Sequence, residues 1–205
     1  RPPRSTLFPY TTLFRSGNEL GSFDEWNENK SIPWELKKFP KHDSVSRLFR
    51  DLNLIYQNHK AMYFEEYNQA HFQWIMADNA EQSVLVFKRE VPGETMIFVF
   101  NMTPRFYSEY DIGVPYEGEY EEILNTDKDV YGGWNQYNGA NIFTHGSGLQ
   151  NQPYRITIKL ASFAGIFLRY IPKIKEEEKP VIEQKAEPIK QASAKKTTRK
   201  RASKK

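Results

Sequence analysis

The chain has no cysteine, which excludes disulfides and thiolate chemistry. It has no long apolar run. The longest, Met96–Phe100, is far too short to cross a bilayer, so no membrane partner is expected. No signal peptide is visible, and the sequence begins with Arg1 rather than Met. Acidic residues are missing from both ends. Residues 1–16 carry three Arg and no acid, and residues 190–205 carry eight Lys/Arg and no acid. The overall charge of +3 therefore hides an asymmetry. Residues 172–205 hold 12 Lys/Arg against 5 Glu, and 17–171 carry a net −7. An acidic body argues against a nucleic-acid partner, and the basic tail supports one by composition alone.

Aromatics are plentiful, with 12 Tyr and 14 Phe in 205 residues, which favours β structure. The densest group of unusual choices is 17–34, GNELGSFDEWNENKSIPW. Gly17 and Gly21 bracket Asn18-Glu19. Four carboxylates (Glu19, Asp24, Glu25, Glu28) surround Phe23 and Trp26. Apolar residues there follow no period, so the segment cannot build its own core and must lie on something else. Carboxylates with a flat ring suit sugar hydroxyls and sugar C–H faces. A plain surface connection packed on a neighbouring domain suits the same residues.

Residues 1–16, RPPRSTLFPYTTLFRS, resemble a translated sequencing-adapter peptide or a disordered extension and stand outside the fold. A short helical turn is expected at Trp34–Phe39, started by Pro33. Val45, Leu48, Phe49, Leu52, Ile55 and Tyr56 recur with the helical period and predict a helix over Asp43–His59, capped by Asp43 or Ser44. Its stripe must pack downstream, and in part on a body upstream. From Phe72 the period becomes two. Strands are expected at Phe72–Met76, Ser83–Lys88, Thr95–Phe100, Ser108–Ile112, Glu119–Leu124, Asn141–Thr144, Arg155–Leu160 and Gly165–Tyr170, forming an antiparallel sandwich. The continuous runs Val84–Phe87 and Met96–Phe100 predict central strands covered on both faces. Residues 172–205, rich in Lys, Glu, Ala and Pro, are expected to be disordered.

The ordered set GNELG (17–21), DEWNENKSIPW (24–34), VSRLFRDLNLIYQNHKAM (45–62), FQWIMADNAEQSVLVFKR (72–89), FNMTP (100–104), YDIGVPYEGEYEEILNTD (110–127), YGG (131–133) and LASFAGIFLRY (160–170) resembles the C-terminal portion of bacterial 1,4-α-glucan (glycogen) branching enzymes, in the α-amylase superfamily. The resemblance covers 17–172. It implies that 17–62 is the remnant of a (β/α)8 barrel: the end of strand eight, its loop and the last helix. Residues 63–171 would be the C-terminal all-β sandwich. It implies a cytoplasmic glycosyltransferase that moves α-1,4-glucan segments to 6-hydroxyls, with α-glucan and the N-terminal barrel of the same enzyme as partners and with no cofactor. The family's catalytic carboxylates lie on earlier barrel strands, so this chain alone is expected to be inactive. The chain departs from the family's Leu-Asp-Trp at Ile32-Pro33-Trp34.

Under this resemblance Glu19 and Trp26 are the candidate substrate contacts, at the rim of the barrel's C-terminal face; loop packing is the alternative for both. Trp34 reads as structural. His42, His59, His71 and His145 lack metal-ligand spacing and read as surface residues, so no metal site is expected. Adjacent carboxylates on a strand face opposite ways, so neither Glu65-Glu66 nor Glu121-Glu122 can flank one bond, and both read as solvated. Tyr131-Gly132-Gly133-Trp134 with Tyr137 is either an aromatic platform for a sugar chain or an ordinary aromatic loop. A free-standing β-sandwich carbohydrate-binding or interaction module is the alternative reading of the whole chain.

Overall fold

The computed structural model describes residues 18–24, 27, 29–139 and 141–172. The expectations for residues 1–16, for Trp26 and for the tail from Lys173 onward lie outside the described residues.

Among the described residues eight strands follow two helices. They are β1 (Phe72–Met76), β2 (Val84–Val91), β3 (Glu94–Asn101), β4 (Tyr107–Val114), β5 (Glu119–Asn125), β6 (Ile142–Phe143), β7 (Tyr154–Leu160) and β8 (Gly165–Ile171). Each overlaps an expected strand; β1 coincides with it, and the others differ by at most three residues at either end. One sheet has the order β1-β2-β3-β8-β5-β6, the other pairs β4 with β7, and all pairings are antiparallel.

The two sheets enclose the main core. Val84, Val86, Ile97, Val99, Tyr120, Ile166 and Leu168 of the larger sheet share a buried cluster with Ile112, Val114, Ile156, Ile158 and Leu160 of the smaller. A second cluster covers the other face of the larger sheet. There Met96, Phe98, Leu124 and Phe167 meet Leu48, Leu52 and Ile55 of α1 (Pro40–Asn58) and Ala61 and Met62 of α2 (Lys60–Tyr63). β3 is thus buried on both sides, which is why its apolar run is continuous: odd and even positions feed different cores. Aromatic rings align across the strands of the helix-side face. Phe87 stacks on its cross-strand partner Phe98 at 4.7 Å, and Phe98 meets its partner Phe167 edge-on at 4.8 Å.

α1 begins three residues earlier than the period suggested. Phe39 holds the N-cap position without a side-chain bond, and Pro40 starts the helix, so neither Asp43 nor Ser44 caps it. Proline at the first helical position lacks an N–H that would have no partner there, and its fixed φ already suits the helix. Asp43 instead lies in the first turn, paired with Arg47 at 2.7 Å. The 3-10 turn Trp34–Lys38 precedes α1, with Pro33 at its N-cap position. No side chain of α1 is fully buried, and Phe49 and Leu54 stay 39% and 48% exposed. Glu94 of β3 fastens both helices to the sheet. Its carboxylate accepts His59 Nδ1 at 2.6 Å and the Ala61 backbone N–H at 2.8 Å.

Candidate functional site

Two loops rest on the N-terminal half of α1. The first carries Glu19. Residues Asn18–Leu20 form a 3-10 turn that buries Leu20 completely and leaves Glu19 half-buried. Gly21 closes it with φ +60, its N–H donating to Asn18 O at 2.9 Å. His42 Nδ1 donates to the Leu20 carbonyl at 2.7 Å, fixing the turn to α1, and Gly21 lies against Val45. Around this anchor Phe23, Trp34 and Phe39 are 94%, 58% and 58% exposed, with the rings of Phe23 and Phe39 5.7 and 6.2 Å from that of His42.

The second loop follows β5 and runs from Thr126 to Gly139. Its backbone is wound around buried carboxylates. Asp127 accepts the Trp134 N–H at 3.1 Å and the Gln136 N–H at 2.9 Å. Glu122 accepts the Asn138 N–H at 3.1 Å, Asn138 Nδ2 at 2.7 Å and Asn125 Nδ2 at 3.1 Å. Asn125, fully buried, accepts the Asp127 N–H at 2.9 Å and donates to Gln136 O at 3.3 Å. Burying two acids is costly unless their oxygens are met by donors. Here backbone and amide N–H groups meet both oxygens of Asp127 and Oε2 of Glu122, while Glu122 Oε1 is buried without a partner, and the result is a loop of fixed course. Glu122 is therefore no solvated acid, contrary to the expectation for Glu121-Glu122. Glu121 faces the other way and pairs with Arg169 at 2.6 Å.

Gly133 is required for this winding, because a Cβ there would sit 2.2 Å from the Asp127 carbonyl oxygen. Gly132 turns the chain at φ +85 beside Ser44 of α1. Tyr131 donates to Asp51 of α1 at 2.8 Å. Burial first, and the Asp51 carboxylate second, push the Tyr131 hydroxyl up to about 12. The loop then holds Trp134 86% exposed and Tyr137 43% exposed, with Asn135 and Gln136 exposed between them. Gly132-Gly133, five and six residues after Asp127, is the sequence signal for a close backbone approach there, though not for the burial of the acid.

The histidines are less superficial than expected. His42 and His59 hold the contacts given above, and His71 Nδ1 donates to Glu90 O at 2.7 Å. Of the four only His145 is exposed, its Nε2 2.6 Å from Thr157 Oγ1. That hydroxyl donates to Asp111 at 2.5 Å, so the imidazole donates to it rather than removing its proton. This cluster is not a nucleophile with its base. Glu65 and Glu66 also part ways, Glu65 binding Asn68 and His71 and Glu66 accepting Tyr56 OH. Among the described residues no three His, Asp or Glu groups gather as metal ligands.

Comparison with known proteins agrees with this architecture. Residues 74–171 match the family described as "Alpha amylase, C-terminal all-beta domain". The chain is 42% identical over 181 residues to "1,4-alpha-glucan branching enzyme GlgB 1" of Clostridium perfringens strain 13, covering 86% of this chain and 27% of that protein. The chain is similar over most of its length to a portion of these branching enzymes. The GlgB enzyme of Hydrogenovibrio crunogenus is 40% identical over 164 residues, covering 80% of this chain and 23% of its own length. That of Bacillus subtilis strain 168 is 34% identical over 170 residues, covering 82% and 27%. The chain thus spans about a quarter of the length of these curated branching enzymes. The similarity is longer than the all-β domain alone, so it takes in residues of the loop, helix or tail as well.

Proposed function

We propose that this chain serves a 1,4-α-glucan branching enzyme as its C-terminal portion, with residues 17–62 completing a (β/α)8 barrel and 63–171 forming the sandwich beyond it. The observation that carries this reading is identity of 34–42% to branching enzymes over most of the chain. The exposed aromatic and aliphatic side chains support it. Phe23, Trp34, Phe39, Phe49 and Leu54 all precede the sandwich, where a barrel would pack. A free-standing module is disfavoured, since it would share only its sandwich with these enzymes.

In this reading the parent enzyme is a cytoplasmic glycosyltransferase of glycogen biosynthesis. It cuts an α-1,4 chain, holds it on a carboxylate and passes it to a 6-hydroxyl, which takes the place of water in retaining chemistry. The reacting carboxylates belong to the barrel, and this chain supplies none of them. Its own contribution is at the rim: Glu19, held by the His42–Leu20 anchor, and Trp26 on the same loop contact the glucan. Among the described residues no helix is long and apolar enough to cross a membrane, in keeping with the proposed compartment.

The test is a chimera. The matching segment of the Bacillus subtilis enzyme is replaced by residues 18–172, and new α-1,6 linkages are measured on amylose. The expected result is activity in the chimera and none in the 205-residue chain alone. A chimera as inactive as the barrel without its C-terminal segment, or turnover by the chain alone, overturns the reading.

A further inference from the structure

The geometry points to a second glucan contact on this chain: the loop after β5, with Trp134 and Tyr137 as its stacking rings and Asn135 and Gln136 as its polar groups. It lies outside the reacting centre and outside the loop that carries Glu19.

Trp134 is 86% exposed, more than Trp34 at 58% or Trp74 at 48%. An exposed indole on a loose loop loses conformational freedom when it binds, which weakens the contact. Trp134 is not on a loose loop. Its own N–H is held by Asp127, the N–H two residues on is held by the same carboxylate, and that of Asn138 by Glu122. Asn135 donates its N–H to Asp127 O at 2.7 Å and takes a positive φ of +65, the conformation asparagine tolerates best after glycine. The backbone is thus fixed from within by buried acids, and the side chains of Trp134, Asn135 and Gln136 are left to the solvent, while Tyr137 is partly open with Lys128 Nζ 5.9 Å from its ring centre. Such an arrangement buries polar groups inside and keeps apolar faces outside, the reverse of what packing alone would select.

The side chains presented are two aromatic faces with two amides between them. A glucan segment offers the complement, since each glucose ring has C–H surface for stacking and hydroxyls for amide hydrogen bonds. Apolar partners would leave the Asn135 and Gln136 amides unmet, and a nucleic-acid strand would face an acidic body. The loop is also well placed. Gly132 rests on Ser44 and Gly21 on Val45, so both loops anchor at consecutive residues of α1. A chain held at Trp134 is held by the helix that also carries the Glu19 loop. The choice of an α-glucan rests on the branching-enzyme reading; the stacking platform itself does not.

The test uses the purified 205-residue chain in native electrophoresis through gels with and without glycogen, with maltoheptaose and cellohexaose as soluble competitors. Glycogen is expected to retard the chain, and maltoheptaose to release it while cellohexaose does not. Trp134→Ala weakens binding about tenfold, an effect of the size of one stacked ring. Trp134→Phe recovers part of it, and Trp34→Ala leaves it unchanged. Thermal melting of each variant accompanies the gels and is expected to match the parent chain. No retardation of the parent chain, full retardation of Trp134→Ala, or equal loss in Trp34→Ala overturns the proposal. Equal competition by cellohexaose overturns the assignment to α-glucan. None of these readings depends on branching, so a failed chimera and a failed platform are told apart.

Discussion

Tyr131 in the loop after β5 and Asp51 in the middle of α1 are joined by a hydrogen bond of 2.8 Å, eighty residues apart in sequence. Asp51 is not among the apolar residues whose period predicts the helix. The contact makes it a second point of attachment to the sandwich.

Loss of this bond has a measurable pH signature. The Tyr131 hydroxyl is raised from its ordinary value of about 10 to about 12 in the folded chain. A raised folded value means the protonated form is favoured by folding. Its contribution is fully present below about pH 10 and is lost as pH rises through about 12. Tyr131→Phe is expected to cost about 1 kcal/mol at neutral pH and to flatten part of the alkaline loss. Tyr116, raised to about 12 chiefly by its bond to Glu90, supplies alkaline sensitivity that remains. Urea melts at pH 7, 10 and 11.5 check both. An unchanged alkaline slope in the variant contradicts the assignment.

Gly133→Ala tests the winding of the loop without invoking backbone conformation, because Gly133 is not at positive φ. The new methyl meets the Asp127 carbonyl at 2.2 Å, and backbone must move. Destabilisation of roughly 1–3 kcal/mol is expected, together with weaker glycogen retardation. Melting temperature and the glycogen gel read the two effects; a variant as stable as its parent shows that the approach is not needed.

In the chimera, Trp26→Ala and Leu160→Ala are expected to separate. Leu160 is fully buried between the sheets, so truncation costs on the order of 2–5 kcal/mol and lowers Tm, with per-molecule kinetics nearly intact in the cold. Trp26→Ala is expected to lower kcat/KM for glucan with little change in Tm. Both quantities are measured on both variants. If Trp26→Ala melts as early as Leu160→Ala and leaves kinetics unchanged, Trp26 is a packing residue.

Strands were legible because alternation and apolar runs are direct records of which faces are covered, as in Ile156, Ile158 and Leu160 of β7. The resemblance likewise led to the branching enzymes that the alignments reach. The start of α1 was not legible, since Pro40 reads equally as a helix breaker and a first residue. Nor was the burial of Glu122 and Asp127. Carboxylates normally stay in water, and only the three-dimensional supply of N–H donors from Trp134, Gln136 and Asn138 reverses that rule. Trp26 lies outside the described residues, so its role rests on sequence.

β3 has one further consequence. Its alternate side chains serve two masters: Ile97 and Val99 belong to the sandwich interior, Met96 and Phe98 to the seat of α1. A rigid pleat cannot move one set and leave the other, since both hang from the same peptide planes. A one-residue slip of β3 would exchange the two sets, sending Ile97 and Val99 to the helix side and Met96 and Phe98 into the sandwich. The sandwich can then act as a gauge block, setting the attitude of α1 and of both loops resting on it from a distance, with no residue of its interior touching a sugar.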